Sequence, residues 1–146
     1  MSKVIFDEIR EDHDTQRTLL DILVKTKGDS EGRREIFEKV KEELKHHAEA
    51  EEKYFYVPLI EADMTRDKSR HSIHEHHEIN EQIDRLESLD FSSNIWVGEA
   101  EKLQHLVEHH LEEEEHEVFQ MAGKVLSEND KKQLARSFRQ MRNELA

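Results

Sequence analysis

Cysteine is absent from the chain, which removes disulfides, thiolate chemistry, zinc–thiolate sites and iron–sulfur clusters together. Any metal must therefore be held by imidazole and carboxylate. Proline occurs once and glycine four times, so few positions can break a helix, and no stretch alternates apolar and polar residues as a half-buried strand does. Basic residues are the minority, 22 Lys and Arg against 35 Asp and Glu, for a net charge of −13. A nucleic-acid backbone or an anionic lipid surface would be repelled, which sets aside nucleic acid and membrane as partners. No apolar run approaches membrane-spanning length. The segment Met1-Ser2-Lys3-Val4-Ile5-Phe6-Asp7-Glu8 meets acid early and lacks the apolar stretch of a signal peptide, so a cytoplasmic protein is expected. With 146 residues the chain has the size of one ordinary domain, and residues 1–146 are expected to form it.

What the chain has in excess is histidine, eleven residues against a hydrophobic content of only 34%. The apolar residues fall at helical spacing throughout. A first helix is expected over about residues 3–27, with Ile5, Ile9, Leu20 and Leu23 on its stripe, ended by Lys27-Gly28-Asp29-Ser30-Glu31-Gly32. A second, over about residues 33–61, carries Ile36, Val40, Leu44 and Phe55 after a capping Ser30, and Pro58 should loosen its end. The third, over about residues 68–89, shows Ile73, Ile79, Ile83 and Leu86; the fourth, over about residues 95–126, shows Trp96, Ala100, Leu103, Val107, Val118, Met121 and Val125. A short fifth helix starts at the Ser127-Glu128-Asn129-Asp130 cap and carries Leu134, Phe138, Met141 and Leu145. The expectation is an all-α, up-down-up-down four-helix bundle with a short additional C-terminal helix.

Some of the histidines lie on these apolar stripes, where a polar side chain must be satisfied by something. His47 and Glu51 continue the Val40, Leu44 face, and His110 and Glu114 continue the Leu103, Val107 face. Residues four apart stack on one side of a helix, close enough for an imidazole and a carboxylate to share a metal cluster. The two segments also resemble each other, His47-Ala-Glu-Ala-Glu51-Glu52-Lys-Tyr-Phe-Tyr56 against His110-Leu-Glu-Glu-Glu114-Glu115-His-Glu-Val-Phe119, as a ligand unit used twice would. His13 and His76 add one imidazole each from the first and third helices. A modest rotation of the third helix would bury His77 in place of His76.

An isolated helical His-x-x-x-Glu pair is usually a solvated contact, and the solvated reading holds for His46, His71, His74, His105, His109 and His116. It also holds for the acidic run at Glu112, Glu113 and Glu115. Two pairs on apolar stripes with two further inward histidines are another matter. Four imidazoles and two carboxylates meet the need of two nearby iron ions, whose mutual repulsion is relieved by carboxylates that can span both. Tyr54, Phe55, Tyr56 and Phe119, just past the carboxylates, are expected to line the core and restrict access.

The order His13, His47-x-x-x-Glu51-Glu52 running into Phe55-Tyr56-Val57-Pro58, then Glu75-His76-His77-Glu78-Ile79, then His110-x-x-x-Glu114-Glu115, resembles the hemerythrin-like HHE cation-binding domains over about residues 9–119. The resemblance implies two iron ions per chain in an oxo- or hydroxo-bridged centre, with Glu51 and Glu114 bridging and His13, His47, His76 and His110 as terminal ligands. Oxygen-carrying hemerythrins place two histidines four apart in the third helix, whereas Ser72 stands four before His76 and Ile73 four before His77. They also set the last carboxylate five residues after its histidine, the position of Glu115; the repeat with the second helix selects Glu114. Related iron–sulfur repair proteins carry an extra cysteine-bearing segment, absent from this sequence. The implied function is binding or sensing of oxygen, nitric oxide or peroxide, with a redox partner unspecified. The alternatives are an enzyme decomposing peroxide or reducing nitric oxide, and an iron-buffering or interaction bundle.

Overall fold

The computed structural model describes residues 3–146, all of them helical or in short connections. Helix α1 spans Ile5–Leu23. Helix α2 runs Glu31–Glu51, widens into a π-helical turn at Glu52–Tyr56 and closes with Val57–Ile60. Helix α3 spans Asp63–Ser88. Helix α4 repeats the plan of α2: Trp96–Glu113, a π-helical turn at Glu114–Val118, then Phe119–Val125. Helix α5 is Glu128–Leu145. No helix among the described residues is long and apolar enough to cross a membrane.

The helices bury their apolar stripes in two clusters, one at each end of the bundle. One gathers Leu20 and Leu23 of α1 with Phe37 and Val40 of α2, Ile83 and Leu86 of α3, and Trp96 and Leu103 of α4. The other gathers Ile5 and Ile9 with Phe55, Leu59, Val118, Phe119 and, from α5, Phe138. The late residues of α1 thus meet the early residues of α2, and the early residues of α1 its end, which is antiparallel packing in the up-down-up-down order. Between the clusters lies a band of buried polar side chains: Asp12, His13, His47, Glu51, Glu75, His76, His110 and Glu114.

Two helix ends lie several residues from the sequence expectation. Helix α1 stops at Leu23 rather than Lys27, because the Thr26 hydroxyl takes the Leu23 carbonyl at 2.7 Å and Arg33 holds Thr26 in a turn. That guanidinium is buried, donates also to the Phe91 carbonyl and stacks on Trp96, so it ties both connections at this end together. Helix α3 begins at Asp63 rather than Lys68. The Thr65 hydroxyl and Arg66 side chain take the Leu59, Ile60 and Glu61 carbonyls that end α2, and the chain reverses through Glu61 and Ala62. Helix α5 has 18 residues against 19 in α1, and it packs along α1 and α2.

The widening of α2 follows the site rather than Pro58. Proline cannot donate to the ladder and would account for a disturbance at its own turn. Helix α4 has a like π-helical turn that begins at its own buried glutamate, Glu114, one position earlier than in α2, with no proline near it. In both, an amide bonds five residues back, Val57 to Glu52 and Phe119 to Glu114, a distortion often found at functional sites.

Candidate metal centre

Four helices each send one imidazole to a common point: His13 from α1, His47 from α2, His76 from α3 and His110 from α4. All four are buried, and Glu51 and Glu114 are fully so. The helical period that put each His-x-x-x-Glu pair on an apolar stripe is what aims it inward. His76 is inside and His77 is exposed to solvent. The remaining six histidines are exposed or half-exposed.

Each imidazole uses its two nitrogens differently. The outer nitrogen, Nδ1, is held by a carboxylate: Glu115 for His13 at 2.7 Å, and Asp12 for His47, Glu52 for His76 and Glu75 for His110, each at 2.8 Å. A carboxylate accepts, so Nδ1 carries the hydrogen, and the neutral ring presents the lone pair of Nε2 inward. These are carboxylate–histidine pairs of the kind that orient metal ligands. Glu115, expected on the solvated face, is instead part of this support. Its carboxylate also accepts from Arg17 at 3.1 Å, and what decided its place was two partners on α1 that the local sequence does not display.

The inner atoms converge without satisfying one another. His13 Nε2 lies 3.0 Å from Glu114 Oε1, and His76 Nε2 lies 3.1 Å from Glu51 Oε1. Yet His13 Nε2, Glu51 Oε1 and Glu114 Oε1 are buried with no hydrogen-bond partner. His76 Nε2 and His110 Nε2 face each other at 3.1 Å, and with both rings neutral in the tautomer their carboxylates favour, lone pair meets lone pair. Two sets of donors can be drawn around this point, His13, His47, Glu51 and Glu114 in one, His76, His110 and Glu51 in the other. Glu51 belongs to both sets, and Glu114 comes near the second, its Oε2 lying 3.6 Å from His110 Nε2. Buried polar atoms left unpaired are costly, and inward lone pairs with two carboxylates are what cations would satisfy.

Protons respond to the same demand. Burial opposes charge on His76, but the facing Glu51 and Glu52 carboxylates outweigh it and raise its pKa to about 9. His47 is likewise raised well above the ordinary value against burial, by Glu51 and Asp12. Burial and the neighbouring Glu51 charge push Glu114 up, whereas Glu51, despite burial, is held well below the carboxylate range by His47 and His76. Glu115 is lowered to about 2, burial being outweighed by His13 and Arg17.

Tyr56, on the π-helical turn of α2, donates its hydroxyl to Glu114 Oε2. Burial and the Glu114 and Glu51 charges raise that hydroxyl well above its usual range, so it remains a donor. Phe55 and Phe119 are buried beside it, as expected, while Tyr54 is half-exposed. On the other side of the metal-ligand point is a narrow cavity of about 10 Å³, reached by His47, His76 and His110 and walled by Gln16, Leu44, Ile79 and Val107.

The supporting carboxylates Asp12, Glu52 and Glu75 escaped the sequence reading, although a signal for them exists. Asp12, His13, His47, Glu51 and Glu52 recur as Glu75, His76, His110, Glu114 and Glu115, every one 63 positions later. The whole donor set is one unit used twice, of which the His47–Tyr56 likeness is only the final part.

The hemerythrin HHE cation binding domain family matches residues 4–122 of the chain. The crystal structure of a hemerythrin HHE cation binding domain-containing protein from Mycobacterium kansasii matches with a TM-score of 0.88 at 18% identity, covering 97% of this chain and 86% of that one. At that identity the likeness speaks for the fold. No curated protein matches the chain.

Proposed function

The chain belongs to the hemerythrin HHE cation binding domain family, and from that premise we propose that it is a non-haem di-iron protein that binds or senses oxygen, nitric oxide or peroxide. His13 and His47 would be terminal ligands of one ion, His76 and His110 of the other, and Glu51 and Glu114 would bridge them. The observation that carries the reading is the set of buried, converging and unsatisfied inner atoms at His13, Glu51 and Glu114, each imidazole fixed from behind by a carboxylate. Histidine and carboxylate donors with no thiolate suit iron. When bound, iron would supply inner-sphere electron donation to a small ligand.

The side chains do the rest. Leu44, Ile79 and Val107 keep the cavity apolar and narrow, which bars large ligands from the inner nitrogens. Gln16 and Asn80 are the amides on its wall, and the Gln16 amide also donates to Glu43 at 3.4 Å. Tyr56 holds Glu114 by its hydroxyl, which fixes that carboxylate's orientation. Phe55 and Phe119 close the opposite side against water.

Metal analysis of the purified protein with ultraviolet–visible spectra in air and after anaerobic reduction tests this. About two irons per chain, with bands that bleach on reduction, are expected of such a bundle site. Zinc, or no metal and no such bands, would sink the di-iron reading.

A further inference from the structure

Among the outer His-x-x-x-Glu pairs of α3 and α4, two lie against each other, His71 with Glu75 and His109 with Glu113. They repeat, one layer further out, the spacing used in the buried band. The two pairs also cross between the helices. His71 Nε2 is 3.4 Å from Glu75 and 3.3 Å from Glu113; His109 Nε2 is 3.8 Å from Glu75 and 3.4 Å from Glu113. His71, Glu75 and Glu113 each offer one ligand atom within 4.8 Å of the other two. The imidazoles are exposed, while the two carboxylates are mostly covered, at 11% and 15% side-chain exposure.

These spacings differ in kind from those inside. The four supporting Nδ1 contacts are 2.7–2.8 Å, ordinary charge-assisted hydrogen bonds. The outer four are too long for that. A tetrahedral ion with bonds of about 2.0–2.1 Å sets its ligand atoms roughly 3.3–3.4 Å apart, as three of the four contacts are. The lone His74–Glu78 pair also stands at 3.4 Å, and what distinguishes this cluster is that two largely covered carboxylates meet at one imidazole.

The pseudo-repeat explains why the charge here is open. Sixty-three positions earlier than His71 and Glu75 stand Glu8 and Asp12. On that side α5 lies over the surface, and Arg139 pairs with Glu8 and Asp12 while Arg142 pairs with Asp12. On the α3 and α4 side no arginine pairs with Glu75 or Glu113 among the described residues; Lys68 stands 4.0 Å from Glu113 and closer to Glu117. Glu75 divides its oxygens, Oε1 to His110 inside at 2.8 Å and Oε2 to His71 and His109 outside.

We propose that His71, Glu75 and Glu113, with His109 beside them, form a peripheral site for a divalent first-row cation such as Fe²⁺ or Zn²⁺, separate from the buried centre. Imidazole and carboxylate are the right donors for such an ion, and its two positive charges match the two carboxylates. The site shares Glu75 with the support of His110, so an ion held there stands next to the buried band.

The test is calorimetric titration of the full chain, its buried metal content measured beforehand, with Zn²⁺ as the probe. The wild-type chain is expected to take up one further Zn²⁺, with buried metal unchanged. His71→Ala combined with His109→Ala should weaken that uptake by more than the roughly 10–100-fold that losing an outer-shell partner costs. His74→Ala combined with His105→Ala removes two other exposed histidines and should leave it intact. Both are surface changes, and circular dichroism checks that the fold is kept. Absence of a further site in the wild type, or equal uptake by the His71, His109 variant, would overturn the proposal. Uptake lost equally in the His74, His105 variant would overturn it too, as diffuse histidine binding. Because buried metal is counted separately, failure here leaves the reading of the buried centre standing.

Discussion

Asp12 and Glu75 do the same thing on opposite sides of the bundle: each holds Nδ1 of a histidine 35 residues further along the chain, His47 and His110, at 2.8 Å. Their surroundings are not the same. Asp12 is a fully covered carboxylate compensated by Arg142 at 2.8 Å, with Arg139 at 3.5 Å, both from α5. Among the described residues, the charged partners of Glu75 are histidines only. A symmetric donor set thus sits in an asymmetric field, and the C-terminal helix makes the difference.

Arg142 also donates to Glu43, so its loss would take the nearer arginine from buried Asp12 and the cation from half-buried Glu43. Breaking a buried pair by removing one partner typically costs about 3–5 kcal/mol. Arg142→Met is expected to fall in that range in urea unfolding of the metal-free protein. A change under about 1 kcal/mol would mean that α5 contributes packing alone.

Removing one of the proposed bridging carboxylates should be distinguishable from removing a surface one. Glu51→Ala is expected to lose most of the bound metal while circular dichroism shows much of the helix retained. Glu112, exposed on the same acidic run as Glu114, is the control: Glu112→Ala should change neither. Equal metal occupancy in the two variants would refute the assignment of Glu51.

Tyr56→Phe keeps the ring among Phe55 and His76 and removes the hydroxyl from Glu114. A hydrogen bond to a charged group is worth about 1.5–3 kcal/mol, so thermal unfolding should shift down by an amount in that range. The fold tolerates phenylalanine at the equivalent place, since Phe119 stands 63 positions after Tyr56. In the parent protein, absorbance titration should leave Tyr56 un-ionised beyond pH 10, because burial and Glu114 raise it.

The metal-free protein should lose stability as pH rises. His76 has an ordinary value of 6.5 and is raised to about 9 in the fold, and His47 is raised as well. A histidine whose folded pKa is raised stabilises fully below 6.5 and loses that contribution as pH climbs through the folded value. Chemical denaturation should therefore give a falling stability between about pH 6.5 and 9. Metal uptake should run the other way and weaken toward acid, since protons and cations compete for the same nitrogens. A flat profile for the metal-free protein across that window would count against the buried imidazole–carboxylate contacts.

The helical reading and the inward aim of His13, His47, Glu51, His110 and Glu114 were available from the sequence, because both follow from a local period of 3.6 residues. The acidic neighbours were written there too, in the 63-residue offset, but a carboxylate beside a histidine has meaning only once its partner is known. Asp12 does not touch His13; it touches His47. Glu52 reaches His76 and Glu115 reaches His13, each across the bundle.

The sequence by itself determined the element types, the two His-x-x-x-Glu faces and the kind of ion they suit, since helical periodicity and donor chemistry are properties of a residue and its near neighbours. Tertiary structure decided that His76 rather than His77 points inward, because helix rotation is set by what packs against the far side. It decided that Glu115 supports His13 beside Arg17, and that α5 covers the Asp12 side and leaves Glu75 open to His71 and His109. Those choices depend on which charges meet across helices, and such contacts are fixed only when the bundle closes.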